Sequence, residues 1–165
     1  MLGKGFAIAA VVGLLASAAP AFASSSGGEL KAFSLSTDGP FGRFDAAQVQ
    51  RGYKVYREVC SACHSMNLVS FRNLGQPDGP FYDKKYANPN DNAFVKAIAK
   101  DYNVDDIDTE TGDVMQRPAT PADRFPNPYP NEYAARAGNG GALPPDLSVI
   151  TKAREGGPAY IYSLL

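Results

Sequence analysis

The residues with the clearest chemistry in this chain are two cysteines three positions apart and the histidine that follows the second. Cys60 and Cys63 are the only cysteines among the 165 residues, and His64 is the only histidine. In a C-x-x-C-H motif each thiol can add to a vinyl group of haem, while the imidazole binds the iron. The motif therefore predicts one covalently attached c-type haem.

Two other kinds of site use the same residue types. A zinc site takes four protein ligands when structural and three when catalytic, whereas this sequence offers one cysteine pair, one histidine and no second cluster. A thioredoxin-like redox pair is expected within a βαβ pattern, which the flanking sequence lacks. Haem attachment is favoured over both, with a disulfide kept as an alternative for an exported chain.

A helix is predicted to position the motif. Asp45 is a suitable N-cap, with Gln48 three residues later as in a capping box, and the helix is expected to run to Cys60. Positions three and four apart share one helix face, so such a face can present both thiols and His64 to a single porphyrin. The apolar members of the predicted face are Val49, Tyr53, Tyr56, Val59, Cys60 and Cys63.

The chain after the motif is predicted to form short helices joined by irregular loops. Helical segments are expected at 68–74, 92–102, 132–137, 146–155 and from 159 onward, with Phe94, Val95, Ile98 and Tyr102 on one apolar face. Thirteen prolines and sixteen glycines indicate much irregular chain. Residues 124–131 should be extended, because alternate prolines fix φ and remove amide donors. The expected fold class is mainly α, a small helical domain wrapped around a covalently bound haem.

The first residues have the features of a secretory signal. Lys4 is followed by an apolar run over residues 6–19 and by Ala21-Phe22-Ala23, a small-x-small cleavage pattern. The run is shorter than the span of about 20 residues that crosses a bilayer, so a cleaved signal at 1–23 is favoured over an uncleaved anchor. Residues 24–44 are predicted to be an extended arm, and 45–165 the haem domain.

Acidic residues concentrate between positions 101 and 113, with six acids and no base. An EF-hand loop starting at Asp106 would need glycine at its sixth position and glutamate at its twelfth, but these positions hold Thr111 and Arg117. The segment is therefore predicted to be a solvated acidic loop, with a docking patch for a basic redox partner as the alternative. Without Lys4 the chain has 15 basic and 17 acidic residues, so nucleic acid is not an expected partner.

With these segments in view, the sequence resembles the cytochrome c1 family from about residue 39 to residue 165. A bare C-x-x-C-H motif occurs in many cytochromes, so the more specific resemblance lies in the proline-rich stretches. The matching stretches are Arg51 to Met66 around the motif, Pro126-Asn-Pro-Tyr-Pro-Asn131 with Ala134-Ala-Arg136, and Gly141-Ala-Leu-Pro-Pro-Asp-Leu-Ser148 leading to Lys152-Ala-Arg154-Glu-Gly-Gly157.

The resemblance implies a cytochrome c-like fold and an electron-transfer subunit, rather than an enzyme by itself, of the membrane-bound cytochrome bc1 complex. Such a subunit accepts one electron from a Rieske iron–sulfur protein, donates it to a cytochrome c and assembles with cytochrome b. It would lie on the periplasmic side of the inner membrane. By matching positions, Cys60 and Cys63 would form the thioethers, His64 would be the proximal iron ligand, Asn139 and Pro145 would line the haem pocket, Arg154 would face a propionate, and Tyr160 would pack nearby.

The family's sixth iron ligand, a methionine, and its C-terminal membrane anchor would both follow Leu165. Met66 is too close to His64 in sequence to reach the opposite face of the haem, and Met115 follows the acidic segment without an apolar setting. The expectation is therefore an incomplete haem domain with a vacant or substituted sixth site. A stand-alone periplasmic haem-binding or gas-sensing module is the alternative function. A haem peroxidase is disfavoured, because His64 leaves no second histidine for the distal side.

Overall fold

The structure is a computed structural model that describes residues 29–165, and its regular elements are mainly helical. The predicted signal at 1–23 and the start of the predicted arm lie outside the described residues. The helices are α1 (Ala46–Glu58), α2 (Ala93–Lys100), α3 (Glu132–Gly138), α4 (Ile150–Ala153) and α5 (Pro158–Leu164); the strands are β1 (Asn103–Ile107) and β2 (Val114–Pro118); 3₁₀ turns occur at Cys60–Ala62, Phe71–Gly75 and Pro89–Asp91.

Helix α1 begins where its capping sequence predicts. The Asp45 carboxylate accepts a hydrogen bond from the Gln48 amide at 2.7 Å, and Tyr53 and Tyr56 turn inward against the core. Val59 was expected on the same buried face, but it is 66% exposed. The reason is that α1 ends at Glu58 and Val59 has left helical geometry, which turns its side chain away from the apolar stripe.

The core is small and largely aromatic. Phe71, Val95 and Phe125 are almost fully buried, and the rings of Phe71 and Phe125 lie 4.3 Å apart between centroids. Phe125 belongs to the extended proline-rich segment, which is tied to the segment before Phe71 by backbone hydrogen bonds, including Phe125 N to Val69 O at 3.1 Å. Phe125 thus closes the core, while the rest of the proline-rich segment is exposed or half-buried.

Helix α2 packs its Val95 and Ala99 face onto this core. Phe94 was predicted to share that face, but it is 61% exposed, because successive helical residues point about 100° apart and the buried positions are four residues apart. Gly75 allows the close approach of the neighbouring turn, since a Cβ there would lie 2.9 Å from the Val95 Cγ2.

The prediction of an acidic loop at 101–113 is wrong for residues 103–107, which form β1, whereas residues 108–113 are the mostly exposed turn of a hairpin. Strands β1 and β2 form an antiparallel hairpin across this segment, with Val104 opposite Arg117 and Asp106 opposite Met115. Alternation explains the strand, because Val104 and Asp106 are half-buried while their neighbours are exposed. Arg117 also pairs with Asp106 and, through two nitrogens at 2.7 and 3.0 Å, with Asp123, which fastens the hairpin to the core loop.

The described part of the arm lies against α5. The Lys31 amide donates to the Ser163 hydroxyl at 2.8 Å, and Phe33 stacks on Tyr162 with centroids 4.4 Å apart. Helix α4 is much shorter than the predicted helix at 146–155, because the backbone around Asp146 is engaged with another segment. Within residues 29–165 no helix has both the length and the apolar character needed to cross a membrane.

Candidate haem-binding site

The cysteine motif forms a tight turn at the end of α1. The amides of Cys63 and His64 both donate to the Cys60 carbonyl, at 3.2 and 2.9 Å, so the three functional residues are gathered within one turn. Both cysteines are free thiols and both are partly exposed. The turn therefore presents two free, partly exposed thiols beside one imidazole.

The protonation of His64 follows from its hydrogen bond. Its Nδ1 lies 2.8 Å from the backbone carbonyl oxygen of Pro145. A carbonyl oxygen can only accept, so Nδ1 carries the proton and donates it. In the neutral ring the other nitrogen, Nε2, then keeps its lone pair and can bind a metal ion.

The residue after Pro145 connects this segment to the cysteine motif. One carboxylate oxygen of Asp146 accepts from the Ser65 hydroxyl and from the Asn67 amide, each at 2.8 Å, and the other accepts from the Ser148 amide at 2.8 Å. Burial opposes the charge on Asp146, but these hydrogen bonds outweigh it and lower the pKa of the carboxyl group. We call the hydrogen bonds between residues 65–68 and 145–148 the Asp146 clasp.

A second group of contacts surrounds Cys63. The Tyr129 hydroxyl lies 3.9 Å from the Cys63 sulfur, and the Asn139 side-chain amide donates to that hydroxyl at 3.2 Å and to the Ala135 carbonyl at 2.6 Å. Gly138 permits this packing, because a Cβ there would lie 3.1 Å from the Tyr129 ring. Asn139, a predicted pocket residue, is thus connected to Cys63 through Tyr129.

A cleft of about 470 Å³ lies beside Cys63. Its wall includes the flat or apolar side chains of Pro128, Tyr129, Leu143 and Pro144. Within residues 29–165 no group of three or more His, Cys, Asp or Glu side chains is placed to hold a metal ion directly. The wall also carries polar side chains, Asn127 and Glu132 among them. Two free thiols and an imidazole with a bare Nε2 next to this mixed cleft therefore fit a covalently attached, planar macrocycle whose iron needs one protein nitrogen.

Two predicted site residues are not brought together with the motif. Arg154 is exposed, and its hydrogen bond is to the adjacent Ala153 carbonyl at 3.5 Å. Tyr160 is half-buried in α5. Within the part of the chain that the structure describes, no hydrogen bond links either of them to Cys60, Cys63 or His64, so their roles toward a propionate and the haem stay predictions.

Sequence reasoning did not single out Tyr129 or Asp146 as members of the site. Both residues belong to stretches used there for the family resemblance. Tyr129 contacts Cys63, which lies 66 residues away in the sequence, and Asp146 contacts Ser65, which lies 81 residues away. Local sequence patterns do not reveal contacts of such separation. The signal available was Asp146-Leu-Ser148, since Asp commonly accepts from the backbone two residues on.

Comparisons with known proteins place these observations in a family. A sequence model of the Cytochrome C1 family matches residues 35–165. The chain is 52% identical over 122 residues to "Cytochrome b/c1" of Bradyrhizobium diazoefficiens, covering 74% of this chain and 17% of that protein. It is 46% identical over 131 residues to "Cytochrome c1" of Rhodospirillum rubrum, covering 77% and 43%.

A mitochondrial relative shows the same likeness. The chain is 48% identical over 134 residues to "Cytochrome c1, heme protein, mitochondrial" of Saccharomyces cerevisiae, covering 81% of this chain and 40% of that protein. The chain therefore spans less than half the length of each of these three relatives. The extent and identity of the matches show that the chain belongs to the cytochrome c1 family, a family of haem c proteins.

Proposed function

We propose that this chain is the haem-bearing part of a one-electron carrier in a bc1 complex. Cys60 and Cys63 would hold haem c through thioethers, and His64 would bind its iron through Nε2. The observation that carries the proposal is the hydrogen bond from His64 Nδ1 to the Pro145 carbonyl, because it leaves Nε2 available beside two free thiols. When bound, the haem supplies reversible one-electron transfer at its iron.

The surrounding residues have separate roles in this proposal. Tyr129 covers Cys63 from one side, and Asn139 holds the Tyr129 hydroxyl in place. Pro144 and Leu143 form part of the cleft wall, where apolar surface limits access of water to a bound macrocycle and influences its redox potential. Arg154 and Tyr160 are proposed to act on the haem as the family resemblance implies.

The electron-transfer partners and the cellular location of the chain form part of the same proposal. A Rieske iron–sulfur protein would donate the electron, a cytochrome c would accept it, and cytochrome b would be a neighbour in the complex. The names of relatives support membership in a bc1 complex, since they include "Cytochrome b/c1" and "Cytochrome b-c1 complex catalytic subunit, mitochondrial". We place the chain, after export, on the periplasmic side of the inner membrane.

A specific observation favours a second candidate, a stand-alone haem-binding or gas-sensing module. Met66 packs against the core, and Met115 lies on β2 with 44% of its surface exposed. Neither methionine lines the cleft beside Cys63. Met66 and Met115 therefore do not reach this cleft, and a haem bound there without a further ligand would be open to small molecules.

Haem attachment is tested by producing the full chain in a bacterium that matures c-type cytochromes. The expected result is haem that stays with the polypeptide after denaturation. Cys60→Ala and Cys63→Ala should each remove one thioether and shift the α-band of the pyridine haemochrome, whereas Ser61→Ala, in the same turn, should leave it unchanged. Haem that dissociates on denaturation of the unaltered chain would contradict the proposal.

Co-purification of partner proteins and carbon monoxide binding distinguish the two proposed functions. Co-purification with a quinol-oxidising membrane complex, together with reduction of the haem by added quinol, supports the electron carrier. Carbon monoxide binding to the reduced haem without such co-purification supports the stand-alone module. A methionine-to-iron charge-transfer band and no carbon monoxide binding would contradict the open sixth site.

A further inference from the structure

We propose that Asp146 is a positioning residue for His64. By holding the chain at residues 145–146 against the cysteine motif, it keeps the Pro145 carbonyl on His64 Nδ1 and so fixes the direction and electron donation of Nε2. This inference rests on the proposed function, because it takes His64 as the ligand of the haem iron.

The Pro145 carbonyl cannot be held in place by its own residue. Proline has no amide hydrogen, and the preceding residue is also a proline, so neither Pro144 nor Pro145 can anchor this stretch through a backbone donor. The Pro145 side chain offers no hydrogen-bonding group, and the residue is exposed. The first residue able to secure the carbonyl is the next one in the chain, Asp146.

Asp146 is well placed to do so. Its carboxylate accepts from the Ser65 hydroxyl and the Asn67 amide, each at 2.8 Å, and these residues follow His64 directly in sequence. The imidazole and the group that holds its hydrogen-bond acceptor are therefore tied to the same short stretch of chain. Hydrogen bonds to a charged acceptor are stronger than neutral ones, which suits a contact between segments 81 residues apart.

The rest of the clasp supports the same alignment. The Leu147 amide donates to the Ser65 carbonyl at 2.9 Å, and the Leu68 amide donates to the Ser148 hydroxyl at 3.0 Å. Ser148 is in turn fixed by its own amide, which donates to Asp146 at 2.8 Å. Removal of the carboxylate would thus loosen both edges of the clasp.

The consequence for a bound haem follows from the histidine. An imidazole that donates its second ring proton to a carbonyl is a more basic ligand, and a more basic ligand favours ferric over ferrous iron. Loss of the Asp146 clasp should weaken this hydrogen bond. The midpoint potential should then become more positive, and the Nδ1 proton should exchange faster with water.

The test compares three variants of the haem-loaded full chain. Asp146→Ala removes the clasp carboxylate. Asp108→Ala is the matched control, because Asp108 accepts only nearby amides, from Glu110 at 2.8 Å and Thr111 at 3.3 Å. Asp146→Asn keeps one carbonyl oxygen, which can still accept from Ser65 and Asn67 but carries no charge.

The readouts are the midpoint potential and the exchange rate of the His64 Nδ1 proton, followed by NMR with ¹⁵N-labelled histidine. His64 is the only histidine, so the resonance is assigned without ambiguity. For Asp146→Ala we expect exchange to be about tenfold faster, as for the loss of one typical hydrogen bond. The ratio of ferric to ferrous haem should fall by up to about tenfold at a given potential, a shift of about 59 mV.

The outcomes are distinct. Faster exchange and a raised potential in Asp146→Ala, with near-normal values in Asp108→Ala, support the clasp. Asp146→Asn should fall between them, because it keeps one acceptor oxygen but loses the charge and the acceptor for the Ser148 amide. Unchanged exchange in Asp146→Ala overturns it, even if the potential rises, since a raised potential alone would assign the effect to the lost charge. If Asp146→Ala does not accumulate, Ser65→Ala decides: faster exchange supports the inference and unaltered exchange overturns it. Failure of the proposed function would instead show as absence of covalent haem in the unaltered chain.

Discussion

Asn92 offers a sharp test of how the core is built. The residue is fully buried, and its side-chain amide nitrogen donates to the Phe81 carbonyl at 2.7 Å. Its oxygen caps α2 by accepting from the amides of Phe94 and Val95, at 2.9 and 3.3 Å. Asn92→Asp keeps the size and the cap but replaces the donor with an acceptor, so two oxygens would face each other in the core.

The cost of this change depends on the pH. A buried carboxyl that faces a carbonyl oxygen is stabilised in its protonated form, so its pKa in the folded state rises above the unfolded value of about 3.9. A rise of about two units, partly limited by the helix amides, corresponds to about 2.7 kcal/mol. The variant should therefore lose about 2 to 3 kcal/mol relative to the unaltered chain at pH 7. At about pH 4 the acid is almost fully protonated in the folded state, so it can donate to Phe81 and recover most of that loss.

The measurement is urea-induced unfolding followed by circular dichroism at pH 4 and pH 7. Asn131→Asp is the matched control, because Asn131 caps α3 through the Ala134 amide at 2.9 Å but is exposed. Asn and Asp are nearly equal at such a position, so the control should change stability by less than about 0.5 kcal/mol. The reasoning would be refuted if Asn92→Asp were as stable as the unaltered chain at pH 7, or if its loss of unfolding free energy were the same at pH 4 and pH 7.

Two further predictions concern the site and the hairpin. Gly138→Ala should lower the free energy of unfolding by about 1 kcal/mol, because the new Cβ would press on the Tyr129 ring. Gly52→Ala, in α1 with nothing within 4 Å of the new Cβ, should raise it by about 0.5 to 1 kcal/mol. Equal changes for the two variants in urea unfolding would argue against the contact with Tyr129. Arg117→Ala should destabilise the fold at neutral pH. The guanidinium, by hydrogen bonding, lowers the pKa of Asp123, so its stabilisation is complete above the unfolded pKa of about 4 and is lost as the pH falls further. In urea unfolding, the difference in stability between Arg117→Ala and the unaltered chain should therefore become smaller in acid. A stability difference that grows below pH 4 would contradict this role of Arg117.

The features that sequence reasoning located are those fixed by neighbours in the chain. Asp45 caps α1 through a residue three positions away, and the prolines of 124–131 impose an extended course by their own geometry. The C-x-x-C-H turn is likewise local, with hydrogen bonds that span three and four residues. In these places the chemistry of a short stretch determines its structure.

The features that it missed depend on distant partners. Residues 103–107 form a strand because they pair with residues 114–118, where Arg117 also binds Asp106, and that partner strand lies outside the acidic segment. Val59 and Phe94 have apolar side chains at helical spacing, yet the end of α1 and the rotation of α2 leave both exposed. Such outcomes are decided by packing between elements, where tertiary contacts override local periodicity.

The large sequence separation between His64 and Pro145 also affects the order in which the site forms during folding. The turn that presents the thiols is held by hydrogen bonds within four residues, so it can form as soon as α1 does. The Pro145 carbonyl lies 81 residues further along the chain, and contacts of that separation form only after the loop-closure entropy of the intervening chain has been overcome. During folding the cysteines are therefore presented early, and the acceptor that orients the histidine arrives late.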